Sequence, residues 1–333
     1  MEAGNVSTAP PPAARGGRAN TVARLRSVPE LMTLAFLVLL CVAMAIAEPR
    51  FATEINLRNV GQQSSVLVIL SIGLLFVLLI GGIDLSLAGL IGLSSVVAAK
   101  LAGSVPLELA FLLTIAAAAL VGLINGLLVS AGKLAPIVVT LGTGQVMLGV
   151  ALLMTTGGPI RPADHAYADL ASTRIAGVPL PVLIAAACAV FAYVLLKRLR
   201  FGRYVYAVGG NETAAWLAGV PTLLVKVGGY ALCSLFGGIA GVVLSSRVVS
   251  GDASLGSTEM LSAYAAVFIG GVGFGTGRGN VSGVVFGALI LGVISNGINL
   301  LGLDTQYQYV IGGALIVLAI AFQRILGTEQ QPR

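Results

Sequence analysis

Few residues in this 333-residue chain can do acid–base, nucleophilic or metal chemistry. The one histidine, His165, has no serine and aspartate around it in a spacing that builds a catalytic triad. Three cysteines (Cys41, Cys188, Cys233) lie singly in apolar runs and form no CxxC or Cys/His cluster, so the pattern does not point to a zinc or iron–sulfur centre. There is no GxxxxGK[S/T] string and hence no P-loop for ATP. The glycine run from Gly270 to Gly277 is not a dinucleotide fingerprint, because no acidic residue follows about 20 positions on. Two acids, Asp84 and Glu259, come close to membrane depth, both near the ends of apolar segments. Asp84 follows Gly81-Gly82 and precedes Leu85-Ser86-Leu87, which reads as an N-cap for the next helix; a proton relay is the alternative. What remains is polar but uncharged: Asn125, Thr140, Thr143, Gln145, Ser295, Asn296 and Asn299, with Asn296 and Asn299 on one helix face. Such groups suit a path for a neutral polyol or sugar, or equally hydrogen bonds between helices.

The elements that must position these residues follow from composition. Hydrophobic residues make up 57% of the chain and charged residues only 10%, with a mean hydropathy of +0.99. A soluble domain carries about 25% charged residues, so this is an all-α integral membrane protein. A bilayer crossing needs about 20 apolar residues. Candidate spans lie near 31–47, 64–80, 85–102, 108–130, 135–156, 179–196, 222–245, 259–273, 281–302 and 309–326, about ten transmembrane helices. Residues 1–29 form a basic, Pro- and Gly-rich tail expected to be disordered, 30–326 the membrane domain, and 327–333 a short C-terminal tail. Ala45-Ile46-Ala47 resembles a leader-cleavage site, but the long front end and nine further spans favour an uncleaved first helix.

With the N-terminus placed in the cytoplasm, thirteen Lys and Arg fall inside and six outside, including Lys133, Lys197, Arg198, Arg200, Arg203 and Lys226 within. Both termini are then cytoplasmic. The +6 net charge is accounted for by topology, and no nucleic-acid partner is needed. Gly and Ala recur along the helices, as in Ala116 to Ala119 and Gly237-Gly238 with Gly241, which predicts closely approaching backbones.

The segment 197–221 stands out between two spans. Gly209-Gly210 is expected to make a turn, Asn211 to cap a helix that Glu212 favours through the helix dipole, and Gly219 with Pro221 to end it. A short helix bearing the only tryptophan, Trp216, beside basic residues reads as a docking knob, or as a helix lying on the lipid surface.

Here the sequence resembles the permease subunits of bacterial ABC sugar importers of the ribose/galactose/xylose type. Four patches carry the likeness: Ile80 to Ser86, Gly132 to Thr143, Gly202 to Gly219, and Glu259 through Gly271 with the Gly-rich turn that follows. The resemblance implies a type II-like importer bundle in the inner membrane. It implies that Arg203, Gly209, Gly210, Asn211, Glu212, Ala214, Ala215, Trp216 and Gly219 form the coupling element for a separate ATPase subunit, which holds the ATP and Mg, so this chain needs no cofactor of its own. It further implies a second permease chain, usually identical, and a periplasmic sugar-binding protein. Gly81, Gly82, Asp84, Gly270 and Gly271 are candidate helix breaks or gates, with Leu79-Ile80-Gly81-Gly82 set against Phe268-Ile269-Gly270-Gly271 as a short internal repeat. The rival readings are a related permease for branched amino acids or nucleosides, and a secondary transporter or channel working alone.

Overall fold

The computed structural model describes residues 29–304 and, beyond them, 306–308, 310–314, 317–318 and 321. The expected tail at 1–29, apart from Pro29, which begins a helix, the tail at 327–333 and most of the 309–326 segment lie outside the described residues. The helices in chain order are α1 (Pro29–Ala47), α2 (Glu54–Leu79), α3 (Leu87–Leu101), α4 (Leu107–Ser130), α5 (Pro136–Thr155), α6 (Asp169–Ser172), α7 (Leu180–Lys197), α8 (Arg200–Gly210), α9 (Glu212–Leu217), α10 (Thr222–Val248), α11 (Gly256–Ile269) and α12 (Val281–Leu300). Seven of these, namely α1, α2, α4, α5, α7, α10 and α12, are long and apolar enough to cross a membrane. The apolar helices α3 and α11, with 15 and 14 residues, measure about 22 and 21 Å and do not by themselves reach across a core of about 30 Å. The second span begins at Glu54, ten residues before the apolar run suggests, because Thr53 caps it and accepts a hydrogen bond from Asn56 N at 3.4 Å.

The core is built on α2 and α10. From Ser64 to Leu79 every residue of α2 is buried. Its Gly73 lies against the Cys233 carbonyl, where an added Cβ would come within 2.9 Å, and Phe76 stacks on Phe236 with ring centroids 6.1 Å apart. On the other flank of α10, Gly122 and Gly126 of α4 face Tyr230, Ser234 and Val227 just as closely. Small residues let these backbones touch where lipid supplies no hydrophobic force between helices. The outward faces of α4, α5 and α7 instead expose Leu112, Leu120, Val146, Leu153, Val190 and Phe191, the surface a bilayer would cover.

One end of the bundle carries Lys133, Lys197, Arg198, Arg200, Arg203 and Lys226 and is called the basic end here. At the opposite end Glu48 and Arg50 pair at 2.8 Å, and the Arg50 guanidinium also reaches the Leu300 carbonyl, tying the α1–α2 link to α12. The hydrogen bonds from Arg50 hold the Glu48 carboxyl at about 2, well below the usual carboxylate range. A hairpin of β1 (Arg174–Ile175) and β2 (Val178–Pro179) turns through Ala176 and Gly177, both at positive φ as a two-residue hairpin turn demands.

Candidate functional site

Three places gather the polar and glycine residues singled out above. The first is at the basic end. Gly209-Gly210 is not a turn: both residues complete the last turn of α8, and the chain breaks one residue later at Asn211, whose φ of −161° is extended. The reason lies in packing. Gly209 sits directly on the Leu79 carbonyl at the end of α2 and 2.8 Å (as an added Cβ) from Gly277, so a side chain there has no room, and the helix is held straight between them. Gly277 in turn approaches Tyr206 O and Gly210 N, and the Tyr206 hydroxyl donates to Gly279 O at 3.0 Å. Burial, and after it the Glu30 carboxylate, push the Tyr206 phenol up from its ordinary value. Asn211 then caps α9 as the sequence leads one to expect, its Oδ1 accepting from Ala214 N at 2.9 Å, and Gly219 ends the helix at φ +81°. Glu212 is paired with Lys226 of α10 at 3.0 Å. Ala215 is buried against the bundle, while Ala214, Trp216 (64% exposed) and Leu217 (73% exposed) point away from it. Arg203 and Gly210 are exposed on the same end, and a Cβ on Gly210 would meet nothing. The result is an apolar knob on a short helix, seated on a rod that touches both α2 and the 271–279 loop.

The second place is the break between α2 and α3. Gly81 (φ +76°) closes α2 with Gly81 N on Leu78 O at 3.1 Å and Gly82 N on Val77 O at 2.9 Å. Gly271 (φ +81°) closes α11 in the same way, with Gly271 N on Phe268 O at 3.0 Å and Val272 N on Val267 O at 3.2 Å. The two helix ends therefore correspond Gly81 to Gly271, one residue out of step with the pairing that the glycine dipeptides suggest. Gly82 and Gly270 serve packing instead: a Cβ on them would run into the Tyr230 hydroxyl and the Gly283 carbonyl.

Asp84 is fully buried in this break. It is not itself the N-cap residue of α3; Ser86 holds that position without a side-chain cap bond, and the Asp84 carboxylate reaches over it, accepting from Ser86 N at 2.9 Å and from Ser86 Oγ. Asn125 donates to Ser86 Oγ at 3.1 Å, and Thr140 accepts from Leu85 N at 3.1 Å while Thr143 donates to Thr140 O at 3.3 Å. Tyr264 of α11 clasps the backbone of Asp84 through both its N–H and its carbonyl, at 3.1 and 2.9 Å. Asn125 lies five residues inside the end of α4 and Tyr264 five inside the end of α11, which places the start of α3 about 8 Å into the bundle. No sequence signal announces Tyr264, which stands 180 positions from Asp84 in an apolar run.

The third place is nearer the opposite end. After α10 the chain runs back into the bundle along α3: Gly251 pairs with Ile160, Asp252 exchanges backbone bonds with Ser95 Oγ, and α11 begins at Gly256 against the Ala88 carbonyl. Glu259 lies in the first turn of α11 and lines a cleft with Gln63, Leu67, Thr258, Ser262, Leu291, Ser295 and Gln308. The Gln63 amide donates to Ser295 Oγ at 2.7 Å. The remaining polar residues disperse. Asn296 is buried in a reciprocal amide pair with Asn56 at 3.0 and 2.9 Å, Asn299 is exposed and accepts from Gln308 at 3.4 Å, and Gln145 lines a separate recess between α3, α5 and Ser254. So the face shared by Asn296 and Asn299 is not a single polar stripe.

Comparison with known proteins agrees with this architecture. A model of the family described as "Branched-chain amino acid transport system / permease component" matches residues 56–320. The chain is 37% identical over 291 residues to the ribose import permease protein RbsC of Bacillus subtilis, covering 86% of this chain and 90% of that one. It is 36% identical over 299 residues to the L-arabinose transport system permease protein AraH of Escherichia coli, covering 88% and 89%, and 34% identical over 278 residues to the D-allose transport system permease protein AlsC of the same organism, covering 83% and 85%. No solved structure matches the chain. A family model over most of its length, and relatives above 30% identity over nearly all of theirs, show that the chain belongs to this family of ABC importer permeases, multi-pass transport subunits of the inner membrane.

Proposed function

We propose that this subunit passes a monosaccharide, a ribose-type pentose or a close relative, through the membrane at the expense of ATP hydrolysed by a separate subunit. The names of the relatives support the sugar class, since ribose, arabinose and allose permeases all match over most of the chain. In this reading the basic end is cytoplasmic and both termini lie there, in keeping with the Lys/Arg excess. Two copies of the chain surround one path within the lipid, the ATPase subunit binds ATP and Mg at the basic end, and a periplasmic binding protein delivers the sugar at the other. The chain itself needs no cofactor.

The observation that carries the reading is the knob at Trp216 and Leu217 and what stands behind it. A partner that moves α9 moves α8, and α8 has no slack: Gly209 rests on the last carbonyl of α2, and Gly277 and Gly279 rest on α8. Motion enters at an exposed apolar helix and leaves at two glycine-closed helix ends, Gly81 and Gly271, where rigid segments can swing. The α9 residues Ala214, Ala215, Trp216 and Gly219, with Arg203, Asn211 and Glu212, then form the coupling surface.

The test is reconstitution with the ATPase subunit and binding protein in vesicles. Gly209→Val is expected to leave ATP hydrolysis running while uptake falls at least tenfold, because a side chain forces α8 off α2. Trp216→Ala is expected to weaken co-purification of the ATPase, since a buried Trp in an interface is commonly worth 2 kcal/mol or more, roughly a thirtyfold loss of affinity. Normal uptake by Gly209→Val, or uphill accumulation by this chain with no partner, would sink the proposal.

A further inference from the structure

The cleft beside Glu259 is a different kind of place from the helix ends, and the path as read from sequence, uncharged throughout, does not foresee it. Gln63 lies 16 residues before the end of α2 and Ser295 14 residues after the start of α12. At 1.5 Å per residue these are about 24 and 21 Å from the basic end, which puts the cleft beyond the middle of the bundle yet well inside it. It encloses about 90 Å³ and is partly open. Four elements meet there: α2, α11, α12 and the helical residues from 306 onward.

The chemistry of the lining is mixed in a particular way. Glu259 supplies a carboxylate that no described residue hydrogen-bonds and on which the charge of Arg247, in the last turn of α10, acts. Gln63 and Gln308 supply amides that both donate and accept, and Thr258, Ser262 and Ser295 supply hydroxyls. Leu67 and Leu291 make an apolar wall beside them. A charged group at this depth is expensive unless it is used. At Asp84 Ser86 holds one carboxylate oxygen twice over, whereas the Glu259 carboxylate lines a cleft and no described residue hydrogen-bonds it. A single carboxylate among neutral amides, next to an apolar wall, matches a neutral solute with adjacent hydroxyls and an apolar ring face. Vicinal hydroxyls donate to a carboxylate, accept from amides, and leave their C–H face for the leucines.

We propose that this cleft, with Glu259 as its anchoring acceptor, is a transit subsite at which the translocated sugar is held by its hydroxyl edge after leaving the binding protein. The inference rests on the monosaccharide reading above and adds a position and a residue set to it. The subsite is weak by design, because a solute that is to be released on the far side must bind loosely along the way. It also confers selection: sugars that differ in the orientation of one hydroxyl meet Glu259 and Gln63 differently.

The experiment is uptake into vesicles holding the full importer, measured for two sugars that differ at a single hydroxyl and are both delivered by the binding protein. Glu259→Gln is expected to lower the maximal uptake rate roughly fivefold or more, the loss of one charge-assisted hydrogen bond. The half-saturating concentration, set by the binding protein, stays unchanged, and the ratio of rates between the two sugars shifts. The double variant Ser262→Ala with Ser295→Ala removes two small hydroxyls and keeps the acid, so it provides a second reading if the first variant does not assemble. Its ratio is expected to shift as well. Wild-type rates and ratio in whichever variants assemble overturn the inference. So does an equal fall for both sugars, because a merely structural role lowers all rates alike. If the wild-type importer moves no monosaccharide at all, it is the functional reading that fails, and the subsite with it.

Discussion

Asp84 and Glu259 invite comparison because they start from the same position. Each is an acid near the first turn of an apolar helix too short to cross the bilayer, α3 in one case and α11 in the other, and each helix begins inside the bundle. The positive end of a helix favours a carboxylate in both places. There the likeness stops. Around Asp84 the protein closes up: Ser86 donates twice to the carboxylate, Asn125 and Thr140 hold Ser86 and Leu85, and Tyr264 grips the backbone on both sides. Around Glu259 it opens into a cleft lined by amides and hydroxyls from other helices. The difference teaches that a charge at membrane depth is not by itself a mark of function. What differs is how the neighbours engage it: Ser86 donates twice to one oxygen of Asp84, whose other oxygen is buried without a hydrogen bond among the described residues, while Glu259 lines a cleft.

The comparison can be broken most directly at Asp84. Asp84→Ala strands Ser86 N and leaves the start of α3 without its acceptor; a buried donor deprived of a charged partner costs about 2–3 kcal/mol. Thermal unfolding in detergent should show a large fall in melting temperature and a loss of assembled protein. Asp84→Asn keeps an acceptor oxygen for Ser86 and is expected to cost about 1 kcal/mol, the ordinary worth of neutral hydrogen bonds. If Asp84→Asn retains transport, the proton-relay alternative is finished, since an amide carries no titratable proton. A smaller effect is expected of Tyr264→Phe. It removes the hydroxyl that bridges Asp84 N and O while keeping the ring that packs on Phe268, so stability should fall by about 1 kcal/mol. A change no larger than that of Tyr307→Phe, whose side chain is exposed and whose hydroxyl bonds no other described residue, would show that the clasp is incidental.

How much of this was legible beforehand depends on how far along the chain the partners lie. The α9 helix is read nearly complete from Asn211, Glu212, Gly219 and Pro221, because capping and termination act over three or four residues. The apolar runs reveal most spans for the same reason. The role of Gly209 escapes sequence reasoning: its glycine identity is dictated by the Leu79 carbonyl, 130 positions away, and a glycine pair read locally suggests a turn. The same distance hides Tyr264 from Asp84 and Asn56 from Asn296. It also hides the cleft, since Gln63, Glu259 and Ser295 belong to three different helices. Among the polar residues in the apolar runs, the sequence holds no sign of which face inward to a space and which are spent on one another.

The sharpest use of the comparison is the variant expected to do least to the fold. Glu259→Ala removes a carboxylate that no described residue hydrogen-bonds and that lines the cleft, with the charge of Arg247 acting on it. Deleting a group that accepts no hydrogen bond leaves no donor stranded, and it relieves the protein of a charge held at membrane depth while giving up its attraction to Arg247. Unfolding temperature should therefore stay within what a surface substitution gives, about 0.5 kcal/mol in either direction, while Asp84→Ala in the same scaffold falls far below. A pair of equal losses would mean that Glu259 has a structural partner of its own and that the two acids differ only in degree. Unequal losses, with the stable variant the one whose uptake suffers, would separate the acid that builds the helix start from the acid that meets the cargo.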